Sequence, residues 1–435
     1  MNFMAASYRA RSTGPKRFLA GLLVVAMVLP GCASRNVPPM GHGGQPFKPE
    51  ADERKIWAQA EKEEEKIQKT AKVYDDPLLE DYLARIGDRL TPEQVKTAGG
   101  PGFEFHVLRD PTLNAFAMPN GKVYVHTGLL SRLDNEAQLA TILGHEMTHV
   151  TDRHALKFNR DAQNKLILLN VIAIAASIGV AAAAGSRAQG GDYVGAAVLS
   201  QTAQAVLGLG LQLAALAAIN GYGRDLERDA DTGGMEKMTH AGYDPNEAPK
   251  VFALLKKDSG DRGALETFFF GNHPRLEERI ASTTELVRTK YAGVHGIVDT
   301  EDFPLRTRTV VRENALMDIR AGRFNLAQAQ LDRVLAITPR DPTAQLYYGD
   351  LYRLKAQRAR AKEEKESFGK LALERYERAA ELDPSSPDPF RQLGFLYYQQ
   401  KDTAHAREAF RKYLALKPDA PDAKRIKEYL IELER

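Results

Sequence analysis

Between Leu139 and Ala155 the chain reads LATILGHEMTHVTDRHA. The apolar positions LATIL give the stretch a buried helical stripe, and that stripe runs straight into His145, Glu146 and His149. Such a helix has to lie in a core, and a core does not accept imidazole and carboxylate groups without partners. At 100° per residue, positions 145 and 149 lie about 40° apart around the axis, so both rings can face one point. The chain has 10 histidines in 435 residues, and three of them, His145, His149 and His154, fall within ten positions. His154 follows His145 by nine residues, about 180° around a continued helix, and is read as structural. The fold must be built around this helix and whatever satisfies its polar face.

The spacing His145-Glu146-x-x-His149 suits a metal ion that takes nitrogen ligands in a tetrahedral arrangement, which is the preference of zinc. Glu146 projects beside that point, where it can take a proton from water. A catalytic zinc needs a third protein ligand and an open position. The stretch GRDLERDADTGG offers Glu227 and Asp231, four residues apart on one helix face. Taken alone, that stretch reads as a solvated ladder of ion pairs with Arg224 and Arg228, and only its pairing with the His145-Glu146-x-x-His149 motif turns it toward a ligand.

Composition narrows the class. Basic residues number 60 and acidic residues 57, a net charge of +3, which gives no case for nucleic acid, and no phosphate-binding G-x-x-x-x-G-K-[ST] loop is present. Residues 1–17 carry Arg9, Arg11, Lys16 and Arg17 without an acid, and FLAGLLVVAMVLP follows as a short apolar run. This reads as a secretory signal peptide. Leu29-Pro30-Gly31-Cys32 resembles a bacterial lipobox, with Cys32 as the lipidated residue. The other reading is a cleaved signal with an incidental thiol. Cys32 is the only cysteine, so no disulfide is expected.

Further along, ERKIWAQAEKEEEKIQK and DPLLEDYLARIGDRLTP read as helices and FEFHVLRD as a strand. LNAFAMPNGKVYVHTGLL reads as a hairpin closed by a Pro-Asn-Gly turn, with His126 at the end of its second strand as a structural residue. Asp134 or Asn135 caps the next helix, which carries the motif to about Ala155. The Ala- and Gly-rich apolar stretch 166–219 reads as a helical hairpin. It either spans a membrane, packs on the protein or lies on a bilayer surface. Asn170, Ser177, Gln201, Gln204 and Gln212 interrupt it.

The C-terminal third repeats. Pro384 and Pro418 lie 34 residues apart, and Phe390, Leu393, Gly394, Tyr397, Ala406 and Phe410 precede Pro418 in the tetratricopeptide (TPR) pattern. A second unit carries Gly349, Tyr352, Ala372 and Tyr376 with an 11-residue insertion that includes RAKEEKES, and a first unit ends at Pro339 with Ala327 and Leu331. About three units cover roughly 310–420, and PDAKRIKEYLIELER caps them.

His145-Glu146-x-x-His149 followed by Glu227-x-x-x-Asp231 resembles the gluzincin arrangement. NEAQLATILGHEMTHV, ERDAD and NHPRLEERI resemble the HtpX and CAAX-prenyl-protease metallopeptidase family. With the leader and the repeats, the chain is similar to the BepA-type periplasmic metalloprotease-chaperones of Gram-negative bacteria. The resemblance implies a mainly α fold, a gluzincin-type metalloprotease domain with a small β-hairpin or sheet followed by an α-solenoid of TPR units. It implies one Zn2+ per chain held by His145, His149 and Glu227, with Glu146 as the base and Asp231 as the acceptor that orients a zinc histidine. It implies that Asn114, Ala115 and Phe116, in the run to Ala117, form an edge strand for extended substrate, although Asn114 serves equally as a turn residue. His273 and Arg279 match the family's H-P-x-x-x-x-R-I element, which lies against the active site. His273 could donate to a transition-state oxyanion, plug the open metal position, or simply cap the helix that Pro274 starts.

The chain then divides into a lipoprotein signal peptide (1–31), a flexible tether (32–52), the metalloprotease domain (53–290), a linker (291–309) and the TPR domain with its capping helix (310–435). The expected function is zinc-dependent endopeptidase activity in the bacterial periplasm, on an outer-membrane lipid anchor. It would act on misfolded or stalled envelope proteins, with the TPR domain docking the outer-membrane assembly machinery and no role for nucleic acid. The alternatives are a TPR scaffold or chaperone with latent proteolysis, and an integral membrane metalloprotease.

Overall fold

The computed structural model describes residues 37–163, 222–260 and 276–434. The leader, Cys32, the apolar hairpin 166–219 and His273 lie outside the described residues. In the part before the repeats the chain forms α1 (Ala51–Thr70), α2 (Pro77–Leu90), α3 (Glu93–Ala98), β1 (Glu104–Leu108), β2 (Ala115–Ala117) and β3 (Lys122–His126). A single turn, α4 (Thr127–Leu130), leads to α5 (Glu136–Thr151), and α6 (Arg224–His240), α7 (Glu247–Gly260) and α8 (Leu276–Thr289) follow. The fold is the mainly helical one expected, with a three-stranded sheet in the order β1-β3-β2. β1 runs parallel to β3 with Glu104 opposite Lys122, and β2 runs antiparallel to β3 with Phe116 opposite Tyr124.

α5 is buried along its whole length. Asn135 caps it, its side-chain oxygen accepting from the Gln138 N–H at 2.9 Å. At the first turn, Glu136 accepts from the Tyr82 and Tyr243 hydroxyls at 2.6 and 2.7 Å and from Thr300. The helix stops at Thr151 rather than continuing to Ala155, and a new helix starts at His154.

Two expected connectors are ordered and fastened. The tether from residue 37 lies on the domain: Val37 and Met40 are each 4% exposed, and the Met40 N–H donates to the Thr151 carbonyl at 2.8 Å. These side chains, and Phe47 stacked on Trp57, find a core, which a Gly- and Pro-rich composition hides. In the stretch 291–309, the Ala137 N–H donates to the Val298 carbonyl at 2.9 Å and the Glu136 N–H to Asp299 at 3.1 Å. A helix then starts at Asp302, inside the supposed linker.

The C-terminal part stacks three helix pairs, α9 (Asp302–Ala321) with α10 (Phe324–Ile337), α11 (Pro342–Arg358) with α12 (Lys362–Leu382), and α13 (Pro387–Gln399) with α14 (Thr403–Leu416). The final helix, α15 (Ala423–Glu432), buries Ile426 against Phe410 and Tyr413. The insertion lengthens α11 and α12 instead of forming a loop, because KEEKES is made mostly of strong helix formers. In the second and third pairs a glycine receives an aromatic ring: a Cβ on Gly349 would lie 2.4 Å from the Tyr376 ring, and one on Gly394 2.4 Å from the Phe410 ring. Among the described residues, no helix is long and apolar enough to cross a membrane.

Candidate metal centre

α6 runs against α5 with the two backbones in contact. A Cβ on Gly144 would stand 2.9 Å from the Gly234 carbonyl oxygen, and one on Gly234 2.8 Å from the His145 nitrogen. From that crossing the helices run in opposite senses, so Asp231 comes level with His145, and Glu227 meets both histidines.

The nitrogens His145 Nε2 and His149 Nε2 lie 3.1 Å apart, and the Glu227 carboxylate oxygens lie 3.4 Å from the first and 3.7 Å from the second. Zinc at ~2.0–2.1 Å from each of three tetrahedral ligand atoms places those atoms ~3.3 Å apart. The donor set therefore fits in number, type and spacing. All three side chains are buried, as is Glu146. A cleft of about 390 Å3 opens beside them, lined by Glu227, Asp231, Arg279, Arg224 and Arg228.

Each histidine is held by its other ring nitrogen, which sets the tautomer that presents Nε2. His145 Nδ1–H donates to Asp231 at 2.9 Å. Asp231 in turn accepts from Arg279 Nη2 at 2.6 Å and Nε at 3.0 Å. His149 Nδ1 lies 2.8 Å from His154 Nδ1, and His154 Nε2 lies 3.1 Å from Asp229. The Tyr222 ring stacks on His149 at 4.5 Å, and its backbone N–H donates to Glu227 at 2.9 Å.

The charges respond to this packing. Burial and the Arg279 charge oppose a cationic His145, but the Asp231 and Glu227 carboxylates outweigh them and raise its pKa to about 9. Burial also works against an ionised Asp231, yet Arg279 and His145 hold its pKa below the usual carboxylate value. Burial lowers the pKa of His154 and raises that of Tyr222, the latter with help from Glu146 and Glu227.

The expected site residues thus fall into three sets. His145, Glu146, His149, Glu227 and Asp231 converge. Arg279 also arrives: its guanidinium is tied to Asp231, lies 3.0 Å from His145 Nδ1 and sits 4.0 Å from the centroid of the Phe252 ring. Ala115 and Phe116 lie on β2, which among the described residues pairs only with β3 and so forms the sheet's edge. Asn114 just precedes it, 1% exposed, with neither side-chain amide atom partnered among the described residues. His126 hydrogen-bonds the Thr112 hydroxyl at 2.7 Å. Reading the sequence missed Tyr222, which no local pattern marks. It also placed His154 on the far side of α5 by continuing that helix four residues too far, to Ala155.

Residues 77–287 match the model of Peptidase family M48, and residues 357–430 match that of the Tetratricopeptide repeat. The chain is 28% identical over 266 residues to the Beta-barrel assembly-enhancing protease of Escherichia coli (strain K12), covering 60% of this chain and 48% of that protein. It is 30% identical over 186 residues to the protein of the same name from Yersinia pestis, covering 42% and 34%. It is 30% identical over 204 residues to the Mitochondrial metalloendopeptidase OMA1 of Schizosaccharomyces pombe, covering 47% and 52%. The chain spans about half, or less, of the length of these curated relatives.

Proposed function

Because residues 77–287 match the model of Peptidase family M48, we propose that this chain is a zinc-dependent endopeptidase of the bacterial periplasm. It hydrolyses misfolded or stalled envelope proteins as part of outer-membrane protein quality control. The observation that carries the activity is the buried triad His145, His149 and Glu227, three ligand atoms drawn onto one point with both histidine tautomers held from behind. The relatives named for enhancing β-barrel assembly support the cellular role. The TPR helices serve to dock the assembly machinery or present substrate, and a lipidated Cys32 holds the chain on the outer membrane.

Zinc bound by the triad supplies a Lewis acid that lowers the pKa of water and polarises a carbonyl. Glu146, buried beside the triad, accepts the proton of the attacking water and passes it to the leaving amine. An extended peptide pairs its backbone with the edge strand β2, with Asn114 at the start of that edge. Asp231 and Arg279 act together, the one orienting His145 and the other neutralising the one. His273 acts near the metal as a plug of the open position. If so, His273→Ala raises basal proteolysis with zinc retained; a fall of ~10²–10³-fold marks an oxyanion donor instead.

The test is zinc content together with casein cleavage by the mature chain, set against Glu146→Gln. Zinc with cleavage in the wild type and zinc without cleavage in the variant is the expected pair. A wild-type chain that holds no zinc overturns the reading.

A further inference from the structure

α5 ends in a turn made by a residue in an unusual conformation. Arg153 has φ 58°, in the left-handed region that side-chain-bearing residues seldom adopt. Nothing in its own sequence demands that, and the cause is tertiary. The Arg153 guanidinium donates to Glu53 twice, at 2.9 and 2.7 Å, to Glu50 at 2.9 Å and to the Pro38 carbonyl at 3.3 Å. Arg153 and Glu53 are both buried, while Glu50 closes the clamp from the solvent side. Its consequence is the position of the next residue: His154, 0% exposed, is folded back beneath His149 instead of being carried round the helix.

With a metal at the triad, the protons in this arrangement follow in sequence. His149 must present Nε2 to the metal point, because that atom faces His145 Nε2 and Glu227. Its Nδ1 therefore carries hydrogen and donates to His154 Nδ1 at 2.8 Å. His154 must then be bare at Nδ1 and protonated at Nε2, which donates to Asp229 at 3.1 Å. Lys157 lies 3.4 Å from the same carboxylate. One metal histidine is thus backed by a carboxylate directly, and the other by a carboxylate acting through a second imidazole.

We propose that His154 and Asp229 are positioning residues for metal binding, holding His149 in the ring orientation and tautomer that the triad needs. The inference rests on the zinc-peptidase reading above. It makes the Arg153 turn, and through it the segment around Pro38, Glu50 and Glu53, part of the support of the metal site.

The test compares full-length wild type, His154→Phe, His154→Gln and Asp229→Ala. Phe keeps the ring packing and removes the acceptor. Gln restores both polar roles, its amide oxygen accepting from His149 and its NH2 donating to Asp229. Zinc affinity is measured by competition with a chelator of known affinity, and the melting temperature of the metal-stripped proteins reports packing separately. His154→Phe is expected to bind zinc ~10–100-fold more weakly, as for loss of a ligand's outer partner. His154→Gln should stay within a few-fold of wild type, and Asp229→Ala, at a half-exposed position, should weaken binding in the same direction with stability unchanged. Wild-type affinity in His154→Phe, or equal weakening in His154→Phe and His154→Gln, overturns the inference. If His154→Phe does not fold, wild-type affinity in Asp229→Ala overturns it. A wild-type chain that binds no zinc overturns the metallopeptidase reading, and this inference with it.

Discussion

Glu146 and Glu227 are both buried glutamates beside the same two histidines, and their surroundings give them different tasks. Glu227 has its oxygens 3.4 and 3.7 Å from the two Nε2 atoms, whereas Glu146 projects from the motif helix itself. Glu227→Ala should therefore leave the purified protein without its one zinc, while Glu146→Gln retains zinc and loses casein cleavage. Metal analysis by mass spectrometry decides it, and full occupancy in Glu227→Ala rejects the ligand assignment. Arg279 is a different case. Its charge faces Asp231 at 2.6 Å, and both groups are buried. Removing one partner of a buried pair strands the other charge, at a cost of ~3–5 kcal/mol. Arg279→Ala should lower the urea midpoint accordingly even in the metal-stripped protein; an unchanged midpoint would mean that Asp231 is relieved by something else. The two histidine ligands were legible from their helical spacing of four in a buried stripe, whereas Glu227 and Asp231, spaced like any ion-pair ladder, took their roles from the family resemblance. Tyr222 was not legible, because stacking on His149 is a tertiary fact with no period.

At the scale of elements, the site depends on how closely α5 and α6 approach, and Gly144 and Gly234 set that distance. Gly234→Ala places a methyl group where only backbone atoms are available to yield. Overpacking of this kind costs ~1–3 kcal/mol, and moving Glu227 off the histidines should weaken zinc binding as well. A parallel fall in apo stability and zinc affinity is the expected result, and loss of stability with unchanged affinity would separate the crossing from the site. The end of α5 teaches the opposite lesson about legibility. VTDRHA contains no Gly or Pro, so local chemistry lets the helix run on. It stops because Arg153 is gripped by Glu53, 100 residues away in sequence. The same N-terminal segment bonds to Arg160 through Glu50 at 2.6 Å and Asp52 at 2.8 Å. For Glu50 the Arg160 hydrogen bond is the leading cause of a lowered pKa; for Asp52 burial opposes ionisation, but the same arginine outweighs it. Carboxylates depressed on folding stabilise above their unfolded values, here 4.5 and 3.8, and that contribution disappears as pH falls through the folded ones. The stability gap between wild type and Arg160→Ala, measured in urea, should therefore be present at pH 7 and narrow by pH 3. An equal gap at both would show that these ion pairs do not contribute.

At the scale of the whole molecule, the repeat period announced a separate C-terminal domain, and a boundary near residues 291–309 followed from the absence of pattern between the two parts. The period says how the repeats stack on one another and nothing about what the first of them stacks on. In the folded chain, one hydrophobic core runs from Met40 through Leu143 and Phe252 to Phe303, Val310, Ala315, Leu331 and Leu351. Polar ties cross the same junction. Arg132 donates to Asp318 at 2.9 Å with both buried, Asn314 donates to the Ser131 hydroxyl at 2.9 Å, and Arg333 donates to the Ser131 and Leu133 carbonyls at 3.0 and 2.9 Å. These groups sit just before α5, so the first repeat braces the helix that carries the metal ligands. A chain ending after residue 300 would expose that core face and strip Arg132 of its Asp318 partner, a loss comparable to the whole stability of an ordinary domain, ~5–15 kcal/mol. It should be insoluble or unfold without a cooperative transition, and should not hold zinc. A chain ending after residue 383 keeps the first two helix pairs. It loses only α13, α14 and the cap, whose contacts are with their neighbours in the stack. That chain should fold, bind zinc and cleave casein. Circular dichroism melts and zinc content of the two truncations decide between a braced and a separable catalytic domain, and a folded, zinc-loaded chain ending at residue 300 would show that the shared core is dispensable.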